Sequence, residues 1–295
     1  MVSIIIINYN TFQLTAACIT SVIKFTKNTA YEIILVDNAS TACDPDEFKK
    51  MFPSIVLIKS KTNTGFAGGN NLGIAHAKGD IILLLNSDTY LKEDAVSICA
   101  EAISNNNKVG VVGCKMIYPD GRVQHTARKF RTIQWELLDL FRFVLYLLSY
   151  KKRAALMLGR YFKADFNMPC DWLNGAFYMF RKNILNELPQ NKLDDRFFMY
   201  GEDHLWCMQI KQLGYQHQFL SETEIIHINS GSTDVKKQLQ LKRVMMRHEV
   251  EIMKYASNSA INLFFLKMIY LAKENIRYYI KLIVQKITCK VLFFV

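Results

Sequence analysis

The first ninety residues alternate β-branched runs with segments of helical spacing, and this alternation constrains the fold more than any other feature. Four runs are typical of buried strands: VSIIIINYN, EIILVDNAS, IVLIKS and DIILLLNSD. The intervening segments have helical spacing or open with a glycine-rich turn: TFQLTAACITSVIKFT, DPDEFKKMF and GFAGGNNLGIAHAK. Strands that alternate with helices predict an α/β fold, with a mostly parallel central sheet and helices on both faces.

Polar residues follow three of these strands at the point where each strand ends. The three clusters are Asn8, Tyr9 and Asn10; Asp37, Asn38 and Ser40; and Asn86, Ser87 and Asp88. A single cluster of this kind is typical of a turn or a helix cap. Ligands of open α/β sheets bind beyond the carboxyl ends of the strands, so three clusters in succession predict a binding site that includes Asp88.

The glycine-rich stretch NTGFAGGNNLG allows two interpretations. It matches neither the G-x-G-x-x-G fingerprint nor a P-loop, so neither type of nucleotide site is indicated. It is either a flexible loop before a helix, or a place where Gly65, Gly68 and Gly69 let the backbone approach a ligand. In the second case Asn70 and Asn71 supply amide donors at the start of the helix.

Composition limits the class of protein. The chain has 295 residues, of which 51% are hydrophobic and 21% charged, as in a globular protein of one large domain or a domain with a subdomain. Its seven cysteines form no CxxC pair, which argues against a disulfide framework or a zinc site. The opening MVSIIIINYN is typical of a strand rather than a secretory signal. These features predict a cytoplasmic protein.

Most of the net charge of +11 lies in two segments that are also rich in Leu, Phe and Tyr. Residues 128–163 carry a net charge of +7 and residues 254–295 a net charge of +6. The apolar content is too high for a nucleic-acid surface, so no nucleic-acid partner is predicted. Charges interrupt both segments too often for a membrane span, and we expect helices that lie on an anionic membrane surface. Packing within the protein or in a homo-oligomer is the open alternative.

The second basic segment also has a regular polar stripe on an otherwise apolar helix. The stripe has a residue at every fourth position: Lys273, Arg277, Lys281 and Gln285.

Seven motifs, in order, resemble those of the inverting family-two glycosyltransferases, and the most similar subgroup is the rhamnosyltransferase-like enzymes of bacterial surface-polysaccharide assembly. The motifs are IIINYN, ILVDNAS, NTGFAGGNNLGI, GDIILLLNSD, WLNGAFYMFRK, FFMYGEDHLW and IIHINSGST. The resemblance implies a GT-A domain over residues 1–233, with a basic amphipathic insertion at about 128–163. A C-terminal helical segment at 234–295, predicted to associate with membranes, would follow. The family also implies a nucleotide-diphosphate sugar donor and a divalent metal, Mn²⁺ or Mg²⁺.

The resemblance assigns residues of the donor site. It implies that Tyr9 flanks the nucleotide base and that Asp37 accepts the imide N–H of uracil or thymine. Asp88 is similar to the last acid of the family's D-x-D metal motif, which is Asn-Ser-Asp here, and His227 resembles a second metal ligand. One carboxylate can suffice, because a hard cation between two phosphates keeps several waters. A lone histidine with a structural role is the alternative for His227.

The motif YGEDHLW resembles the family's E-D motif, in which the aspartate is the catalytic base. It implies that Asp203 takes the proton of the acceptor hydroxyl and that Glu202 orients the acceptor. The alternative is that both acids only stabilise the first turn of a helix. Leu205 and Gln209 stand where the family has an acid and an arginine, a departure that bears on the acceptor class.

The motif WLNGAFYMFRK supplies an aromatic plane beside small residues. The family places a sugar here, which implies an acceptor contact for Trp172 and a donor contact for Gly175 and Ala176. A Trp172 that belongs to the core is the alternative.

The predicted function is the transfer of a sugar, with inversion, to a lipid-linked saccharide acceptor. The subgroup resemblance implies rhamnose as the sugar, and the product would belong to O-antigen, capsule or another surface polysaccharide. The enzyme would be cytoplasmic and peripheral on the inner face of the cell membrane. A nucleotidyltransferase would need a glycine-rich basic signature after the first strand, and NYNTFQLT has none. A catalytically silent scaffold subunit of a polysaccharide-synthesis complex is the remaining alternative.

Overall fold

The computed structural model describes the backbone of residues 1–229, 235–255 and 259–292, and the side chains of 1–229, 240–255, 259–280 and 282. The described chain forms two compact units. The first comprises Met1–Lys129 and Tyr150–Ser230, and the second Phe130–Ser149 and Gly231–Val295. The predicted insertion at 128–163 is therefore divided, with its middle part in the second unit.

The strands are β1 Val2–Asn8, β2 Tyr31–Asp37, β3 Val56–Lys59, β4 Ile81–Asn86, β5 Thr89–Leu91, β6 Val109–Ile117, β7 Ala127–Arg128, β8 Met168–Cys170, β9 Trp172–Leu173, β10 Phe177–Arg181 and β11 Gln216–His227. The α-helices are α1 Phe12–Phe25, α2 Asp46–Met51, α3 Gly65–Ile74, α4 Ala95–Ser104, α5 Ile133–Leu140, α6 Tyr150–Met157, α7 Glu202–Gln212, α8 Val235–Ile252 and α9 Ala260–Leu292. Short 3₁₀ helices cover Arg142–Leu147, Gly159–Tyr161, Lys182–Glu187, Pro189–Asn191 and Met253–Tyr255.

Within the described residues, nine strands of the first unit form one sheet in the order β3-β2-β1-β4-β10-β6-β11-β5, and β8 also pairs with β11. The four strands predicted from the first ninety residues are parallel neighbours, which confirms the predicted α/β architecture. The second half of the sheet is mixed, because β10 runs antiparallel between β4 and β6. A separate two-stranded sheet pairs β7 with β9.

The middle strands are apolar along their whole length because both faces of the sheet are covered. Ile4, Ile5 and Ile6 of β1 are fully buried, as expected for a parallel sheet between helices. The register of β1 sets Asn8 beside Asp37 and Ile7 beside Asn86. The carboxyl ends of the first, second and fourth strands therefore meet at one edge, and the polar clusters that follow them lie there together.

Helices of the second unit bury charged residues and expose apolar ones. Lys273 of α9 is only 5% exposed, contacts Glu136 and lies 2.7 Å from Asp139 Oδ2. Arg277 contacts the same Asp139 oxygen at 3.1 Å. The first half of the predicted polar stripe is thus paired with carboxylates of α5, while the side chains of Lys281 and Gln285 lie outside the described residues.

The large apolar side chains of the second unit that are at least half exposed are Leu140, Phe141, Phe143, Tyr146, Leu147, Ile261, Phe264, Phe265, Met268, Ile276, Tyr279 and Ile280. Among the residues described, no helix combines the length and apolar character that crossing a membrane requires.

Candidate functional site

The ends of β1 and β2 form a hydrogen-bonded cluster around Asp37. The Asn8 side-chain amide donates to Asp37 Oδ1 at 2.7 Å and to Ser40 Oγ at 2.9 Å, and the Ser40 backbone N–H donates to Asp37 Oδ2 at 3.0 Å. These bonds fix a buried carboxylate whose oxygens each keep a second lone pair. Tyr9 beside it is 48% exposed. The contacts of Asp37 and Tyr9 with a nucleotide base stay predictions, and the geometry is compatible with both.

The glycine-rich turn at the start of α3 packs closely against the backbone of Phe198. Gly65 has a φ of +74°, and a Cβ at this position would lie 2.3 Å from the Phe198 carbonyl oxygen. Only glycine fits such a left-handed turn against a backbone carbonyl. Asn38 fixes the turn, since its amide donates to the Gly65 carbonyl at 3.0 Å and its oxygen accepts from the Thr64 N–H at 3.0 Å. The turn is therefore rigidly attached to the end of β2.

The two asparagines of α3 use their amides within the protein. Asn70 is buried and donates to the Phe66 carbonyl at 3.0 Å. Asn71 donates to the Leu193 carbonyl at 2.8 Å and accepts from the Leu193 N–H at 3.2 Å. Their predicted role as ligand donors stays a prediction, while the structure gives them a role in holding α3 and the segment before α7.

Asp88 and His227 are brought together by the pairing of β5 with β11. His227 lies opposite Thr89 in this ladder, and its Nε2 is 3.4 Å from Asp88 Oδ1. The other ring nitrogen, Nδ1, is 2.8 Å from Gln124 Oε1. The two predicted metal ligands are thus neighbours, at the edge of the sheet where the polar clusters lie.

Asp203 lies in the first turn of α7 and is held by two backbone donors. Its Oδ2 accepts from the Gly175 N–H at 2.9 Å, and its Oδ1 accepts from the His204 N–H at 2.8 Å. Burial raises the pKa of Asp203 above its ordinary value, against the opposing effect of these two hydrogen bonds. A partly exposed carboxylate with a raised pKa and fixed geometry has the properties of a general base.

Glu202 lies beside Asp203 but in a different environment. It is buried, and its Oε2 has no hydrogen-bond partner among the residues that the structure describes. Burial, together with the nearby charge of Asp203, raises the pKa of Glu202 to about 8. The neutral form of Glu202 is therefore favoured at neutral pH.

The raised pKa of Glu202 predicts a pH-dependent stability. A carboxyl with a pKa of about 8 in the folded state and 4.5 unfolded contributes stability that is fully present below pH 4.5 and is lost as the pH rises through 8. The slope approaches about 1.4 kcal/mol per pH unit within this window. Glu202→Gln should remove this part of the slope. Urea unfolding at pH 5, 7 and 9 measures it, and parallel curves for variant and wild type would contradict the assignment.

The loop before β10 joins the strand edge to Asp203. A Cβ on Gly175 would lie 3.1 Å from the Phe66 ring and 3.4 Å from Asp203 Cβ, so a larger residue would displace the carboxylate or the ring. The Ala176 carbonyl accepts from the Asn86 N–H at 3.0 Å. Small residues at 175 and 176 thus let this loop lie between the end of β4 and Asp203.

The Trp172 ring contacts two neighbouring side chains. Its ring lies nearly parallel to that of His204, with 4.9 Å between the centroids. The guanidinium of Arg128, on the paired strand β7, lies 4.7 Å from the Trp172 centroid. A contact of Trp172 with an acceptor sugar stays a prediction. These contacts connect Arg128, through Trp172, to His204, which follows Asp203 in the sequence.

Sequence reasoning did not identify Gln124, Arg128 or His204 as site residues. Gln124 and Arg128 follow β6 in a segment without periodicity, and their partners His227 and Trp172 are 103 and 44 positions away in the sequence. Only the DGRVQ turn after β6 could have drawn attention to Gln124.

Comparison with curated proteins gives relatives among polysaccharide enzymes. The chain is 21% identical over 220 residues to an N-acetylglucosaminyl-diphospho-decaprenol L-rhamnosyltransferase of Mycobacterium tuberculosis, covering 68% of this chain and 67% of the relative. It is 36% identical over 100 residues to a poly(ribitol-phosphate) beta-glucosyltransferase of Bacillus spizizenii, covering 32% of this chain and 16% of the relative. The chain spans less than a third of the length of two of the curated relatives that it matches.

Among solved structures, the mannosyltransferase PcManGT of Pyrobaculum calidifontis, in complex with GDP-Man and Mn²⁺, is similar with a TM-score of 0.57. The two chains share 16% identity over 92% of this chain and 68% of the other. At this identity the likeness concerns the fold, and it confirms the predicted GT-A architecture.

The family model for glycosyl transferase family 2 matches residues 3–174, more than half of the chain. The matched range includes Asp37, Asp88 and Trp172 and ends before Gly175, Asp203 and His227. The three residues beyond the matched range lie next to those within it. The Gly175 N–H bonds Asp203, and His227 lies on β11, which pairs with β5 beside Asp88. The chain belongs to glycosyl transferase family 2.

Proposed function

We propose that the protein transfers a sugar, with inversion, from a nucleotide-diphosphate donor to a saccharide acceptor. The observation that carries this proposal is the continuous set of contacts from Asn86 through Ala176 and Gly175 to Asp203. It links the strand edge at which family members bind the donor to a fixed carboxylate that can act as base. A donor bound at this edge would have its anomeric carbon near Asp203.

In this proposal Asp203 accepts the proton of the acceptor hydroxyl while the oxygen attacks the anomeric carbon. The bond from that carbon to the diphosphate breaks on the opposite side, so the configuration inverts. The Gly175 and His204 N–H groups fix the carboxylate, and Glu202, neutral at pH 7, can donate a hydrogen bond to the acceptor.

Asp88 and His227 fit a divalent cation, Mn²⁺ or Mg²⁺. Their ligand atoms are 3.4 Å apart, and neighbouring ligands of an octahedral Mg²⁺ are about 3 Å apart. Within the described residues, no group of three or more His, Cys, Asp or Glu side chains is arranged to hold a metal ion, so diphosphate oxygens and water would complete the coordination. A bound cation would neutralise charge on the leaving diphosphate.

For the donor sugar and the acceptor we propose rhamnose and a lipid-linked saccharide, in the synthesis of a cell-surface polysaccharide. The relative from M. tuberculosis, a rhamnosyltransferase of a diphospho-decaprenol acceptor, supports this choice. The proposed location is the cytoplasmic face of the cell membrane, where such an acceptor would be presented.

A thermal-shift panel of uridine, thymidine and guanosine diphosphates, each with and without Mn²⁺, tests donor binding. We expect the uridine and thymidine nucleotides to stabilise the protein in the presence of Mn²⁺, because Asp37 accepts an imide N–H. Asp88→Ala should lose most of the Mn²⁺-dependent shift and keep its melting temperature without nucleotide. An equal response to guanosine diphosphate would refute the role of Asp37, and no Mn²⁺-dependent binding would favour the silent scaffold.

The exposed apolar residues of the second unit support membrane association. Leu147 is 85% exposed, and Phe143, Ile261 and Phe264 are each more than half exposed. Residues of this kind insert into the lipid interface. Because Lys273 and Arg277 are paired inside the unit, we attribute membrane binding mainly to apolar contact, aided by basic residues outside these pairs.

The unsubstituted 295-residue protein is expected to float with anionic liposomes. The double variants Phe143→Ser with Leu147→Ser, and Ile261→Ser with Phe264→Ser, should each lower the bound fraction several-fold, since each removes apolar surface from the lipid interface. These changes affect exposed side chains, so the melting temperature should not fall. Flotation at low and high salt is the measurement. A wild-type protein that never floats would make these residues an oligomer or packing surface.

A further inference from the structure

Gln124 and His227 are joined by two hydrogen bonds in the buried interior of the first unit. Gln124 Nε2 donates to the His227 carbonyl oxygen at 2.6 Å, and Gln124 Oε1 lies 2.8 Å from His227 Nδ1. Each residue is 7% exposed. The Gln124 backbone is itself fixed, since its N–H donates to the Met116 carbonyl at 2.8 Å. The side-chain amide therefore has a defined place relative to the imidazole.

The first bond determines the second. A backbone carbonyl can only accept, so the amide NH₂ of Gln124 must face it. The amide oxygen then faces Nδ1, and an amide oxygen can only accept. Nδ1 must carry the proton of this hydrogen bond. In a neutral imidazole the other nitrogen, Nε2, then carries a lone pair.

This tautomer is opposed by the other neighbour of the ring. Asp88 Oδ1 lies 3.4 Å from Nε2, and a carboxylate there would favour a proton on Nε2, as in an ordinary structural His–Asp pair. With the proton on Nδ1, Nε2 of a neutral imidazole and Asp88 Oδ1 place two lone pairs 3.4 Å apart, and a divalent cation can bind both.

We propose that Gln124 is a positioning residue that holds His227 in the Nδ1–H tautomer, so that Nε2 and Asp88 together bind a divalent cation. The inference rests on the proposed function, because the cation is the one that would neutralise the leaving diphosphate. Outer hydrogen-bond partners of this kind fix the tautomer and orientation of metal-ligating histidines, and their loss typically lowers metal affinity by about 10- to 100-fold.

The tautomer can be measured directly on metal-free protein. Long-range ¹H–¹⁵N spectra of histidine-labelled wild type at pH 8, with His227 assigned by its absence in His227→Gln, should show a protonated Nδ1 and an unprotonated Nε2. The Gln124→Met variant should shift the proton toward Nε2, since the carboxylate then dominates. A wild-type spectrum with a proton on Nε2 would overturn the inference.

Titration calorimetry with Mn²⁺ in the presence of uridine diphosphate gives the second readout. Gln124→Met should weaken Mn²⁺ binding by about 10- to 100-fold. Thr126→Val is the matched control from the same segment and should leave the affinity unchanged. It removes a buried hydroxyl that has no hydrogen-bond partner within the described part of the chain.

The outcomes separate the inference from the function on which it rests. A folded Gln124→Met that binds Mn²⁺ as wild type does would overturn the role of Gln124 and leave the transferase proposal intact. A wild-type protein that binds neither uridine diphosphate nor Mn²⁺ would overturn the cation site, and the inference with it.

Discussion

Asp203→Asn is expected to abolish most sugar transfer, with a loss on the order of 10²-fold or more in kcat, because the variant lacks the group that accepts the acceptor proton. Donor binding should persist, since the cation site is formed by other residues. The substitution also replaces one carboxylate oxygen by an NH₂ group that faces the N–H of Gly175 or His204. The variant should therefore lose about 1–3 kcal/mol of stability.

Initial rates at saturating donor, with donor affinity and urea unfolding measured on the same preparation, separate these effects. Glu202→Gln is the matched control, as it changes the neighbouring buried carboxyl by the same isosteric substitution. We expect it to cost less than about 10-fold, because a neutral Glu202 orients the acceptor rather than taking its proton. A larger loss in Glu202→Gln than in Asp203→Asn would transfer the role of base to Glu202.

Lys273→Met is expected to lower the free energy of unfolding by about 3–5 kcal/mol, because it removes the central cation of a buried charge cluster. Glu136 and Asp139 are both nearly inaccessible to solvent and both contact this ammonium group. Burial alone would raise the pKa of Asp139, yet the hydrogen bond from Lys273 and the charge of Arg277 hold it below its usual value. The variant leaves two buried carboxylates with fewer partners.

Urea unfolding followed by circular dichroism measures the loss, and Lys267→Met on the same helix is the control. Lys267 is only partly buried, and its substitution should change the free energy of unfolding by no more than about 0.5 kcal/mol. Equal effects of the two substitutions would show that the cluster does not hold α5 and α9 together. Arg131, which bonds Glu136 at 2.7 Å and Glu249 at 2.8 Å, would then account for the stability of this unit.

The parallel half of the sheet could be predicted from local pattern. Strands such as IIII and IILLL need no partner to be identified, because β-branched and apolar runs of this length fit a sheet that is buried on both faces. The prediction that polar clusters meet at one edge followed from the same pattern and is confirmed for Asn8, Asp37 and Asn86 by the register of β1. The antiparallel insertion of β10 between β4 and β6 was not predicted, since the sequence shows no partner for a lone strand.

The candidate site was predictable to the extent that its residues lie in local motifs. Asp88 and Asp203 were identified from short motifs and their resemblance to a family. Their neighbours were not, because Gln124 contacts His227 across 103 positions and Asp203 meets Gly175 across 28. Such contacts depend on which strands pair and in which register, and the types of residue within a motif do not encode that.

The sequence by itself determined the strand and helix pattern, the edge of the sheet at which polar residues collect, and the composition of the two basic segments. Only the tertiary structure decided which way the charges of α9 face. Periodicity shows that Lys273 and Arg277 share one side of a helix, and that side was expected to contact an anionic membrane surface. Because Glu136 and Asp139 lie opposite them, the ion pairs offset the cost of burial. Apolar residues of the same helix are divided, with Leu266 and Tyr270 buried and Phe264 and Ile276 exposed.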